Sequence, residues 1–278
     1  MSLAQVADAV AAAAAALSGS TELAATPLER TTQSPGVWCT AAAARVGVDP
    51  GELAARLSGH PLFDGATVGP GGLVRVRLAP ATVVCALREL AEGKGMPPAP
   101  PSSSPPSLSP PSASAAEDPG ADVRRFEAAR TAGGAPALPA SLLERRVLDN
   151  PVVTVQLAHA RACVLADRHP ATVWTSEDAA AGEAAGIGDL RVLLDPLDRR
   201  VVTEVLDAPR RLELHKVRPH ETAATLQAVA TAYLPWWEGV TRGPAAELEP
   251  ARVLLSAAAR GVLERGMALL GVSAPARM

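Results

Sequence analysis

The stretch Asp149–Arg161, DNPVVTVQLAHAR, opens a helix. Asp149-Asn150 places a capping side chain ahead of Pro151, whose fixed φ suits the first helical turn. Val152, Val155, Leu157 and Cys163 then form an apolar face and leave Gln156, His159 and Arg161 on the polar side. Gln156 and His159 are neighbours at i,i+3, whereas Arg161 lies further round the helix. From the residues alone this is an amphipathic helix with an uncommon polar face.

On its C-terminal side the apolar spacing predicts helices over 190–194, 196–207, 210–217, 219–240 with an interruption at Pro235, and 250–270. That half is all-α. On the far N-terminal side, an Ala-rich helix is expected over 3–17, ended by Ser18-Gly19. A short helix over 39–46 follows, then one capped by Asp49 that runs to Leu57. Gly69-Pro70-Gly71-Gly72 marks a turn before a strand over 73–78, with Arg75 and Arg77 on one face, and a helix follows over 80–92. Between the two halves, Pro97–Ala116 is Pro/Ser-rich and carries no charge. It cannot bury enough apolar surface to order itself, and extended it would reach roughly 60 Å. The expected organisation is an α+β domain over 1–95, a disordered Pro/Ser linker over 96–119, and an all-α helical bundle over 120–278.

Hydrophobic residues make up 48% of the 278 positions, enough for one large core or two small ones, with two domains the expected arrangement. The net charge of −3 and a pI near 6.0 provide no global field for phosphates, so any nucleic-acid contact must rest on local patches. Cys39, Cys85 and Cys163 are far apart and lack metal-ligand spacing, as do the five histidines, so no metal and no cofactor are expected. Paired carboxylates such as Glu177-Asp178 read as helix caps, and no nucleophile–base pattern stands out. The apolar run Ala9–Leu17 is short of the ~20 residues that span a bilayer, and no basic segment precedes it. A cytoplasmic protein without a membrane anchor is expected.

DNPVVTVQLAHAR resembles the segment of bacterial arginyl-tRNA synthetases that leads into their C-terminal anticodon-binding domain, where a tyrosine-rich "DNPxxxVQxAHAR" occurs. Val153, Thr154 and Leu157 stand where that family usually carries tyrosines. Gly120–Phe126 resembles the family's "GxDAxRyf" helix, and Leu226–Trp237 its "LxxLAxxFxxFY" helix. The closing Gly271–Met278 is similar to "LGVxxPERM", with Ala276 in place of the glutamate. In the N-terminal half, Gly36–Ala41, Asp49–Ala54 and Gly69–Val74 resemble the "GDYATN", "nPxELA" and "GPGFINF" elements of the family's additional domain. That domain docks on the tRNA D-loop region in the family. Here Gly72 and Val74 replace the loop's phenylalanine and asparagine.

The resemblance implies an N-terminal additional domain and a DALR-type anticodon-binding domain. Aminoacylation in that family needs a nucleotide-binding domain with HIGH and KMSKS motifs, and between Glu92 and Gly120 this chain offers only the linker. Ser58-Gly59-His60-Pro61 is unlike the first motif, and Gly93-Lys94-Gly95-Met96 lacks P-loop spacing. The expectation is therefore a non-catalytic tRNA-binding paralogue, regulatory or tRNA-presenting, with tRNA-Arg as the first candidate partner. The alternative is a protein-interaction or self-associating module that has lost RNA binding.

Residues expected to face RNA are Gln156, His159 and Arg161, the cluster Arg210, Arg211, Lys216 and Arg218 opposed only by Glu213, and Trp236 with Trp237. Each has an ordinary reading beside it. Gln156 and His159 also suit an interhelical hydrogen-bond network, and the basic cluster equally suits a solvated face. Tyr233 shares a helical face with the tryptophans, so at least one of these three aromatics is expected in the core. Arg277 and Met278 are expected to pin the terminus onto the bundle.

Overall fold

A computed structural model describes residues 3–19, 28–31, 36–98, 119–168, 193, 195–215, 217–242 and 249–278. The expected linker falls almost wholly on 99–118, and the expected helix over 190–194 on 190–192 and 194, both outside the described residues.

The N-terminal part is α+β. Its first helix, α1 (Leu3–Ser18), buries Val6, Val10 and Ala14, with Leu3 and Leu17 partly covered at its ends. Four strands form an antiparallel sheet in the order β1-β2-β4-β3: β1 (Glu29–Arg30), β2 (Val37–Thr40), β3 (Phe63–Val68) and β4 (Val74–Leu78). Alternation along β4 buries Val74, Val76 and Leu78 and leaves Arg75 and Arg77 outside. Between β3 and β4 the chain reverses through Gly71 and Gly72, whose φ values of 69° and 73° only glycine adopts without strain.

The helix expected over 39–46 is shorter than predicted. Residues 37–40 pair with β4, Trp38 opposite Val76 and Thr40 opposite Val74, and α2 (Ala42–Val46) starts after the Thr40 hydroxyl accepts the Ala42 amide at 3.2 Å. Pairing across some 36 residues of sequence overrides a local Ala-rich helical tendency. By contrast α3 (Pro50–Ser58) begins as predicted, the Asp49 carboxylate accepting from the amides of Gly51 at 2.8 Å and Glu52 at 3.0 Å. The Ser58 hydroxyl at its end bonds both the amide and the carbonyl of Ala66 on edge strand β3, which blunts that edge. The helix α4 (Pro80–Ala91) closes this part.

The C-terminal part is helical: α5 (Pro119–Thr131), α6 (Ala140–Leu143), α7 (Pro151–Arg168), α8 (Pro196–Leu212), α9 (Pro219–Thr241) and α10 (Pro250–Leu269). Two helices run through prolines expected to break them. At Pro235 the ring and Thr231, whose carbonyl loses its partner, both lie on the exposed side of the helix, where the freed carbonyl is open to solvent, while Ala232, Tyr233 and Trp236 pack inward. At Pro209 the lost bond falls in the penultimate turn of α8, between the buried Leu206 and Leu212.

The sheet part rests directly on the bundle. Helix α4 packs along α10, and a Cβ on Gly261 would stand only 2.8 Å from the Leu90 carbonyl, so the two backbones approach closely there. Arg30 of β1 forms ion pairs with Glu204 and Asp207 of α8, and the Gly36 amide donates to Thr203 at 2.6 Å. One hydrophobic core, from Val6 to Val272, runs through both parts. Among the described residues no helix is long and apolar enough to cross a membrane.

Candidate nucleic-acid interface

The start of α7 is organised by Asn150, which is 1% exposed. Its amide donates to the carbonyls of Leu143 and Arg145, both at 3.2 Å, while its Oδ1 accepts the Val152 amide at 3.3 Å. The segment before the helix is thereby folded over the first turn, with Arg145, Arg146 and Leu148 facing solvent. Pro151 takes the first helical position, as the sequence predicts.

After α10, Gly271 at φ 65° turns the chain back across α7. Four side chains hold the returning tail. The buried Asp122 carboxylate accepts the Ser273 amide at 3.1 Å, the Ser273 hydroxyl, and the Gln156 side-chain amide at 3.0 Å. Gln156 also donates to the Ser273 carbonyl at 3.2 Å. His159, buried at the same helix face, sets Nδ1 2.9 Å from the Pro275 carbonyl; a carbonyl only accepts, so Nδ1 carries the proton. Arg125 donates to the Gly271 carbonyl at 2.7 Å. The tail is clamped between α5 and α7 by partners drawn from two distant stretches of sequence.

Between that tail, α5 and the start of α7 opens a cleft of about 530 Å³. Arg145, Arg146 and Arg277 line it, all exposed, and none has an ion-pair partner among the described residues. Val153 and Met278, the latter 55% exposed, add apolar surface. The Gln156 amide nitrogen is committed to Asp122 and Ser273, so its carbonyl oxygen is what remains to meet a ligand. Unpaired guanidinium groups beside aliphatic surface suit a polyanion carrying flat rings, since phosphates meet the charges and exposed bases lie on the apolar side chains.

The other expected RNA-facing residues are dispersed. Trp236 is fully buried, its indole N–H donating to the buried Asp198 carboxylate at 2.7 Å, and Asp198 is also held by Arg252 at 2.8 Å. It is sealed in the core and has no ring face to offer a base. Trp237 is half-buried, with the Arg161 guanidinium 4.0 Å from its ring centroid; neither residue lines the cleft. In the basic cluster, Arg210 pairs with Asp207 at 3.1 Å and Arg211 with Glu221 at 3.3 Å. Arg218 is exposed, and Lys216 lies outside the described residues. Gln156 and His159 act first on the tail. Arg277 and Met278 do not pin it; Ser273 and Pro275 do, through the buried residues opposite them, which frees the last two side chains to line the cleft.

Sequence reasoning missed Asp122, Arg145, Arg146 and Ser273. The adjacent arginines just before DNP were a legible signal for a local positive patch. Asp122 and Ser273 each lie in a stretch that resembles the family, but neither stretch shows that the two side chains meet, because that arises only where two distant segments touch. Among the described residues no group of three or more His, Cys, Asp or Glu is placed to hold a metal ion.

Comparison with known proteins places residues 155–278 in similarity to the DALR anticodon binding domain. An arginine–tRNA ligase of Herminiimonas arsenicoxydans is 39% identical over 136 residues, which is 47% of this chain and 22% of that protein. Those of Renibacterium salmoninarum and Frankia alni are 34% and 33% identical over 171 and 167 residues, each 57% of this chain and 29% of the relative. The chain thus spans about a quarter of the length of these curated relatives. No solved structure matches it significantly.

Proposed function

We propose, from the similarity of residues 155–278 to the DALR anticodon binding domain, that this protein binds a tRNA, tRNA-Arg first among the candidates, without aminoacylating it. The observation that carries the reading is the cleft beside α7, where Arg145, Arg146 and Arg277 stand unpaired around Val153 and Met278. Unpaired anticodon bases are the part of a tRNA that suits such a cleft, because their faces and edges are free for stacking and hydrogen bonding. The arginines meet the flanking phosphates, and the clamp on the tail holds Arg277 and Met278 in place before RNA arrives, which lowers the ordering cost of binding. A protein that binds in this way and does no chemistry sequesters, presents or regulates its tRNA.

A mobility-shift titration of the full chain against individual tRNA transcripts and an unrelated RNA of equal length tests the reading, with an arginine- and ATP-dependent charging assay run in parallel. Preference for one tRNA without charging is expected. Equal affinity for the unrelated RNA overturns the tRNA assignment, and charging activity overturns the non-catalytic one. Salt-independent self-association with no RNA binding would instead favour an interaction module.

A further inference from the structure

A second cavity, of about 380 Å³, lies where α1, α4 and α8 meet. It is built by both parts of the chain and shares none of its described lining residues with the cleft beside α7. Its volume falls at the small end of the ~300–1,000 Å³ typical of small-molecule sites, which favour the junctions between structural units. Leu3, Ala7, Leu28, Leu90, Leu206 and Pro209 give it an apolar lining.

Five charged side chains also line it: Asp8, Glu89, Lys94, Arg210 and Glu213. Both cations are already engaged by carboxylates outside the lining, Lys94 by Glu92 at 2.7 Å and Arg210 by Asp207 at 3.1 Å. The Asp8 and Glu213 carboxylates have no hydrogen-bond or ion-pair partner among the described residues. The unspent charge in the cavity is therefore negative, and it sits beside apolar surface. One of the two free carboxylates belongs to the α+β part and the other to the bundle.

We propose that this cavity binds a small amphipathic organic cation, its apolar body on the Leu28–Leu206 lining and its ammonium or amidinium group met by Asp8 and Glu213. A neutral analogue of the same shape retains the apolar contact and loses the charge pairing. An anionic analogue meets two carboxylates of its own sign. Because the lining residues come from both parts, the bound cation also holds the α+β part against the bundle.

Calorimetric titration of the full chain with 2-phenylethylamine, 2-phenylethanol and 3-phenylpropionate tests this. Saturable binding of the amine is expected, with the alcohol at least tenfold weaker and the carboxylate weaker still. The double variant D8N/E213Q, altered only at exposed side chains and so expected to fold, should bind the amine at least fivefold more weakly and the alcohol as before. Failure of the amine to bind, equal binding of amine and alcohol, or amine binding indifferent to D8N/E213Q would each overturn the proposal.

Discussion

Asp122 on α5 accepts the backbone amide of Ser273 at 3.1 Å, a bond across 151 residues of sequence that fixes where the C-terminal tail runs. The same carboxylate takes the Ser273 hydroxyl and the Gln156 amide, so three donors converge on one buried acceptor. Asp122→Ala takes this acceptor from the Ser273 amide and hydroxyl and leaves Gln156 only its bonds to Ser273, and each buried unsatisfied group costs about 1–3 kcal/mol. The variant should release the tail, with faster carboxypeptidase removal of Met278 and weaker tRNA binding at unchanged helical content. Asp122→Asn, which keeps one acceptor oxygen, should fall between it and the parent.

Phosphate contacts leave a signature in the salt dependence of binding. Alanine at Arg145, Arg146 or Arg277 should each lower the slope of log K against log salt by about 1. Arg210→Ala and Arg161→Ala should leave the slope unchanged, since Arg210 is engaged by Asp207 and Arg161 by the Trp237 ring. Titrations at three or four salt concentrations separate the two groups.

The two adjacent tryptophans should respond unequally to removal of the indole N–H. Trp236→Phe deprives Asp198 of a 2.7 Å bond in the core and should lower stability by about 1–3 kcal/mol in urea unfolding. The Trp237 Nε1 has no partner, so Trp237→Phe breaks no hydrogen bond and should cost less. Neither should alter the salt slope of tRNA binding.

The Arg130 guanidinium, bonded to Glu127 at 2.7 and 2.8 Å, holds that carboxyl below its ordinary pKa of 4.5, and the Leu138 amide reinforces the effect. The folded-state pKa is depressed, so this pair's stabilisation is present above pH 4.5 and is lost as pH falls through the lower, folded-state value. Thermal melts between about pH 3 and pH 6 should show a drop on the acid side that is reduced in Glu127→Gln.

Local signals carried much of the architecture. Asp49 capped α3, Pro151 opened α7, and the alternation of β4 placed Arg75 and Arg77 outside, because each depends on a handful of neighbouring residues. The strands β1, β2 and β3 left little trace, since β1 has two residues and β2 is held by pairing with β4 across some 36 positions. The prolines at 209 and 235 signalled breaks that packing and solvent exposure overruled. At the candidate site, Gln156 and His159 were visible as polar residues on one face, yet whether that face met RNA or another part of the chain was not written in its spacing.

By itself the sequence determined the α+β and all-α halves, the start of the central helix and the family resemblance, all of them properties of short runs of residues. The tertiary structure alone decided that Trp236 is sealed beside Asp198 while Trp237 is not. It also decided that Gln156 and His159 hold the tail, and that Arg145, Arg146, Arg277 and Met278 share one cleft. Those outcomes depend on which distant segments pack together. A side chain at position 122 acquires its role only when position 273 is folded against it.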